Sequence, residues 1–288
     1  MESGKSLYPC PQAEIPCYTV YRRVDPIAID GRLIERSWRL APRTSRFVDL
    51  VSGRRTLFDT YAAMLWDDEY LYIGFWVEEP FVTARFTERD SPIYEDNDVE
   101  IFIAGRDAYY ELEINAMGTI YEVLFIWEDS YEKSGYNLVP ELRRDAPGVK
   151  PFHGVGFKHP RGARIGYWNW DLPGLKWGVY VDGTLNDNSD RDRGWMVEVA
   201  IPWSGLQLLA MPESKPLPPE EGDVWRINLF RFNQYREAPP AEDSSGWAWA
   251  PHYVWDSHIP ECFPYVRFSR KTVDKAWMKL VGNRYGKR

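Results

Sequence analysis

From Tyr18 to about Phe268 the chain is a succession of short apolar and aromatic runs with period-two alternation, separated by clusters of Asp, Asn, Gly and Pro. Such alternation sends successive side chains to opposite faces and specifies strands with one buried face. Tyr61 to Trp66 and Tyr70 to Val77 flank Asp67-Asp68-Glu69, the pattern of a hairpin with a tight polar turn. Val99 to Ile103, Tyr109 to Asn115 and Thr119 to Trp127 follow as an antiparallel meander, linked by Gly105-Arg106-Asp107 and Ala116-Met117-Gly118. Trp177 to Val181, Gly194 to Ile201, Val224 to Phe232 and Trp247 to Trp249 supply the opposing sheet. Helical turns fit Ile34 to Leu40 and Trp203 to Leu208, and Val273 to Val281 has helical spacing with Trp277, Leu280 and Val281 apolar. Many short strands without alternating long helices predict an all-β antiparallel sandwich with a short C-terminal helix.

Residues 1–17, broken by Pro9, Pro11 and Pro16, suit an extended N-terminal arm, and residues 18–288 read as one interwound domain. Regularity fades over about 128–176, where Pro140, Pro147, Pro151, Pro160 and Pro173 interrupt the pattern. This stretch reads as a long irregular insertion, with decoration favoured over a ligand-facing role.

The formal charge of −8 opposes a nucleic-acid partner, because neutralising a phosphate backbone takes a basic face. Cys10, Cys17 and Cys262 show no metal-type spacing and predict reduced thiols. With no apolar leader-like stretch and no run of about 18 apolar residues, the chain reads as cytoplasmic and without a membrane partner. The aromatic fraction of 16% exceeds what packing needs, and Trp and Tyr combine an apolar face with a polar edge suited to stacking on ligands.

Ile29-Asp30-Gly31-Arg32-Leu33-Ile34-Glu35-Arg36-Ser37-Trp38 resembles the opening signature of family 9 carbohydrate-binding modules. The order continues with Leu65 to Tyr72, Asn97 to Ile103 and Tyr109 to Asn115. Gly183 to Asp187, Asp190 to Trp195, Val197 to Trp203 and the ending His258-x-Pro260-x-x-Phe263 resemble the long bacterial family 9-like branch. The resemblance covers roughly residues 25 to 268. It implies a DOMON-related β-sandwich, immunoglobulin-like or jelly-roll-like, in which two aromatic rings clamp a sugar while polar side chains bond its hydroxyls.

Carried onto this chain, the resemblance assigns the first ring to Tyr94, a carboxylate to Glu100, an amide to Asn115 and the second ring to Trp255, with Trp247 and Trp249 in reserve. The family's basic position is Glu113 here, which reverses a charge and removes five donors. The family's late glutamine falls near Phe230, and the neighbouring Arg231 is expected to pair with Glu100 or Glu113, as scaffold or ligand contact. Asn186, Asn188, Asp190, Asp192 and Gly194 fail the EF-hand test and fit turn chemistry better. No cofactor is expected, and a structural calcium elsewhere stays open, as it is known among relatives of the family.

Non-catalytic saccharide binding is the leading expectation. The enzymatic alternative is glycan hydrolysis in carbohydrate catabolism, using carboxylates among Glu100, Glu111, Glu113 and Glu122, although nothing marks a proton donor in an apolar pocket. The third is an interaction or structural domain that has lost sugar binding, to which the changes at Tyr94, Glu113 and Phe230 point.

Overall fold

A computed structural model gives the structure of the protein and describes residues 7–235 and 239–276. The first strands are β1 (Cys17–Arg22), β2 (Val48–Asp49), β3 (Thr60–Trp66), β4 (Tyr70–Glu78), β5 (Asp98–Ala104), β6 (Ala108–Asn115) and β7 (Ile120–Trp127). They are followed by β8 (Val149–Phe152), β9 (Arg164–Tyr167), β10 (Lys176–Asp182), β11 (Gly194–Pro202), β12 (Val224–Phe232), β13 (Gly246–Ala248) and β14 (Tyr265–Thr272). Helices are short: α1 (Arg36–Leu40), α2 (Gln207–Ala210) and a few single 3₁₀ turns. None is long and apolar enough to cross a membrane among the described residues.

Hydrogen bonding links the strands in the order β10-β11-β4-β3-β1-β14-β12-β5-β6-β7-β9-β8, while β13 pairs with β12 and β2. The ladder narrows to two residue pairs between β1 and β3 and three between β14 and β12. On either side of this neck the two halves stack into the expected all-β sandwich. Its core interleaves Ala62, Met64, Ile73, Phe75, Val197 and Val199 from one layer with Val99, Ile101, Ile103, Leu112 and Ile114 from the other. The β3–β4 turn forms as expected, because the Asp67 Oδ1 accepts the N–H groups of Glu69 and Tyr70 at 2.8 Å each. Asp192 and Asn186 likewise serve backbone N–H groups of Val82, Thr184 and Ala84.

The second half does not supply the opposing sheet by itself, because β12 pairs with β5 in the layer of the meander while β10 and β11 extend the β3–β4 hairpin. Three further expectations need correction. The stretch 128–176 is no mere decoration, since β8 and β9 continue the second layer beyond β7. The arm is pinned, because Cys10 and Cys262 form a disulfide and pack with Ile259 beside Tyr8 and Ile15. Sequence spacing concealed this bridge, whose halves lie 252 residues apart. The parallel pairing of β1 with β14, which sets Cys17 against Tyr265, brings the two segments together, and Cys17 keeps an exposed free thiol. The third concerns the outer face of β5, β6 and β7, expected to be solvated. Every residue of these strands is buried. A second apolar cluster, including Phe102, Tyr109, Phe125, Phe230 and Phe263, covers that face. Of the C-terminal helix, residues 273–276 are helical, while Trp277, Leu280 and Val281 lie outside the described residues.

Candidate functional site

The outer face of β5, β6 and β7 floors a cavity of about 450 Å³, within the size range of small-ligand sites. Alternation decides which side chains reach it. On β5, Val99, Ile101 and Ile103 enter the core and Glu100 points the other way, as the sequence predicts. Register then sets Glu100 directly opposite Glu113 of β6, and Phe102 opposite Glu111. Glu100, Glu111 and Glu113 line the floor together with Tyr121 and Phe125 of β7.

The walls are aromatic and come from loops. Tyr94 sits in a 3₁₀ turn just before β5, is 50% exposed and meets Tyr121 edge-on at 5.8 Å between ring centres. Trp255 is 41% exposed, lines the same cavity and rests edge-on against Phe232 at 5.4 Å. The two rings named as a clamp therefore border one open cavity. Trp247 and Trp249, the reserves, are buried in the core.

Sequence reasoning missed the contribution of residues 150–168. Lys150, Phe152, Val155 and Trp168 all line the cavity, which favours the ligand-facing role over the decorative one. The Trp168 Nε1 donates to the Tyr121 hydroxyl at 2.5 Å, and the Lys150 ammonium lies 4.3 Å from the Trp168 ring centre. Asp256 holds the loop beside β8 in place: its Oδ2 accepts the N–H groups of Val155, Gly156 and Phe157 at 2.9–3.0 Å, and its Oδ1 that of His258 at 2.8 Å. The one available signal was aromatic density at Trp168 and Trp170, which its Pro-rich setting masked.

Two named residues lie elsewhere. Asn115 is fully buried and its amide is consumed by the β6–β7 turn: Nδ2 donates to Phe86 O at 2.9 Å and to Asp96 Oδ2 at 3.2 Å, while Oδ1 accepts from Met117 and Thr119 at 3.0 Å each. Arg231 pairs with neither Glu100 nor Glu113. Its register partner is Val99, so alternation sends it to the inner face, whereas Phe230 opposite Glu100 faces outward. There its guanidinium donates to Thr60 Oγ1 at 3.0 Å, Glu78 O at 2.8 Å, Glu79 Oε2 at 3.4 Å and Asn233 Oδ1 at 3.0 Å.

The floor is a cluster of buried acidic side chains. Burial, and then the charges of Asp98 and Glu111, push the Glu100 carboxyl well above the usual range. Glu113 moves the same way through burial and the charge of Glu100. Burial and the charge of Asp256 raise Glu111 to about 8. Groups shifted this way keep their protons to higher pH than exposed carboxyls do, unless a cation enters. A ligand here would stack apolar faces on Tyr94, Trp255 and Trp168 and place polar groups over the carboxyls.

Residues 62–172 match the model of Carbohydrate-binding family 9. No curated protein matches the chain. Among solved structures, a Bacteroides uniformis protein described as a candidate carbohydrate binder aligns with a TM-score of 0.55 at 14% identity, over 89% of this chain and 100% of its own. A family 9 carbohydrate-binding module from Caldicellulosiruptor kristjanssonii in complex with cellotriose aligns with a TM-score of 0.48 at 14% identity, over 88% of this chain and 95% of its own. The module from the same organism in complex with glucose gives 0.47 at 14% identity, over 88% and 97%. The expected resemblance to family 9 carbohydrate-binding modules thus holds over residues 62–172, which supply every floor residue and all of the walls except those around Leu50, Phe232 and Trp255 to His258.

Proposed function

We propose that the protein binds a saccharide, without catalysis, in the cavity between Tyr94 and Trp255. The observation that carries this reading is the pairing of two half-exposed rings on one cavity floored by Glu100 and Glu113, in the segment that matches the carbohydrate-binding family. Sugars present apolar C–H faces for stacking and hydroxyls for fixed polar partners, and this lining offers both. Because Glu113 replaces the arginine expected from the family resemblance, the floor accepts hydroxyl or amine protons and offers few donors while ionised.

The hydrolytic alternative has less behind it: burial raises Glu100, Glu111 and Glu113 in the same direction, and no feature of the floor sets one of them apart as the proton donor. The Cys10–Cys262 bridge supports a place in an oxidising compartment over the cytoplasm that the thiol reading favours. Titration of a broad panel of mono- and oligosaccharides, read by tryptophan fluorescence and calorimetry, tests the binding. Saturable binding competed away between related sugars is the expected result. Silence across the panel would overturn the reading in favour of a domain that has lost sugar binding.

A further inference from the structure

We propose that Asp98, Glu100 and Glu113 form a site for a hard divalent cation, calcium by preference, at the base of the cavity. One carboxylate oxygen from each lies within 4.8 Å of those of the other two, and no Cys or His belongs to the group. Two oxygens that each sit about 2.4 Å from a shared calcium ion are at most about 4.8 Å apart, so the separation suits one ion. An all-oxygen donor set selects calcium or magnesium over softer metals. The three carboxylates offer three unpartnered oxygens and leave the other positions to water or ligand oxygens, which the flexible coordination of calcium tolerates better than the strict octahedron of magnesium.

A second observation is independent of that spacing. Asp98 Oδ2, Glu100 Oε2 and Glu113 Oε2 are all buried without a hydrogen-bond partner, and their residues are no more than 2% exposed. A buried carboxylate oxygen without a partner is costly, and proteins rarely leave three side by side. The chain provides for its other buried acids. Glu122 pairs with Arg89, Glu79 with Arg231, and Glu198 accepts the indole N–H of Trp38 at 2.6 Å and the N–H groups of Asp30 and Gly31. Among the described residues no basic side chain forms an ion pair with Asp98, Glu100 or Glu113, and Arg231, already bonded to Glu79, acts on Asp98 only at longer range.

The fold makes the site rigid and reachable from one side. Asp98 and Glu100 project from one face of β5 and Glu113 from the same face of β6, held by the β5–β6 ladder that pairs Glu100 with Glu113. Asp98 is anchored through Oδ1, which accepts the Phe232 N–H at 3.1 Å. Glu100 and Glu113 line the cavity, so an ion enters from that side.

The test uses the full chain after chelation and without saccharide, so that its failure leaves the sugar reading untouched. Calcium chloride at about 1 mM is expected to raise the melting temperature by about 5 °C, the size of response that ligand linkage gives when the ion is present at about a hundred times its dissociation constant. Terbium is expected to give luminescence sensitised by the nearby aromatic rings and to be displaced by calcium. Both responses are expected to vanish in Glu113→Gln and Glu100→Gln, whose neutral amides keep the side-chain shape. An absent melting shift and absent terbium signal in the wild-type chain would overturn the proposal. So would metal responses that persist in both variants.

Discussion

Glu100 and Glu113 face each other across neighbouring strands, buried at the floor of the cavity, and each has a carboxylate oxygen without a hydrogen-bond partner. Like charges directly opposite in a ladder destabilise it, and burial amplifies the effect. In chelator at pH 8, Glu113→Gln is therefore expected to raise the stability of the chain by about 1 kcal/mol. Denaturant unfolding of the two proteins, compared at equal m-value, checks this. A destabilised variant would mean that the carboxyl has a stabilising partner in the free protein.

Trp255 contributes a partly exposed ring to the cavity wall and rests on Phe232 and over Gly246. Removing it should spare the fold and remove a stacking platform. For Trp255→Ala we expect unfolding midpoints within about 1 kcal/mol of wild type and saccharide affinity lower by about tenfold or more, matching the loss of about 1.5 kcal/mol from one aromatic contact. Tyr94→Ala is expected to act in the same direction. Calorimetric titration measures both.

How far these residues could be read from the sequence depended on the range of the physics involved. Alternation is local, so the meander from Val99 to Trp127 and the outward aim of Glu100 were legible. The family resemblance placed Tyr94 and Trp255 at one cavity, which no local pattern could do. Arg231 is a sequence neighbour of Phe230, the position that the resemblance singles out, but neighbours on a strand face opposite ways, and its parity with Val99 sends it into the core. Asn115 was misread because a motif match carries no account of who else needs the amide, and the turn at Met117 and Thr119 claims it. The Cys10–Cys262 bridge and the walls from Phe152 and Trp168 depend on tertiary neighbours distant in sequence.

Arg231 offers a direct test of its corrected place. Its guanidinium is buried between the layers, is bonded to Glu79 and does not line the cavity. Arg231→Leu leaves the Glu79 carboxylate buried without its cation, a change that typically costs about 3–5 kcal/mol. We expect a loss of that size in denaturant unfolding, with saccharide affinity unchanged at temperatures where the variant stays folded. A selective loss of binding at full stability would return Arg231 to the ligand site.

The bridge between Cys10 and Cys262 closes nearly the whole chain on itself. Cross-linking so long a loop restricts the unfolded ensemble, and removing such a bridge costs about 2–5 kcal/mol. Cys10→Ser and Cys262→Ser are each expected to lose that much, and the wild-type chain should lose a similar amount on adding reductant. Reductant is expected to leave the stability of either variant unaltered, because Cys17 has no bonded partner.

His252 sets the acid limit of the fold. Its Nδ1 lies 2.7 Å from the carbonyl oxygen of Asp256 and its Nε2 3.0 Å from the Asn228 Nδ2. A carbonyl only accepts, so Nδ1 carries the proton and Nε2 accepts from the amide; a second proton on Nε2 would set donor against donor. Burial lowers the imidazole from 6.5 to about 4, against the pull of Asp256. The unfolded chain therefore binds this proton first as pH falls. The stabilising contribution is complete above about pH 6.5 and is lost progressively as pH drops through about 4, a swing of about 3 kcal/mol. His258, lowered to about 3 mainly by burial, adds loss of the same sign in that window. Stability measured from pH 7 to pH 4 should fall steeply in the wild-type chain and less steeply in His252→Gln. Because the His252 ring holds the backbone of Asp256, whose carboxylate in turn fixes residues 155–157 at the cavity wall, saccharide affinity should weaken over the same pH range. Equal slopes for the two proteins would show that His252 is not held neutral by its surroundings.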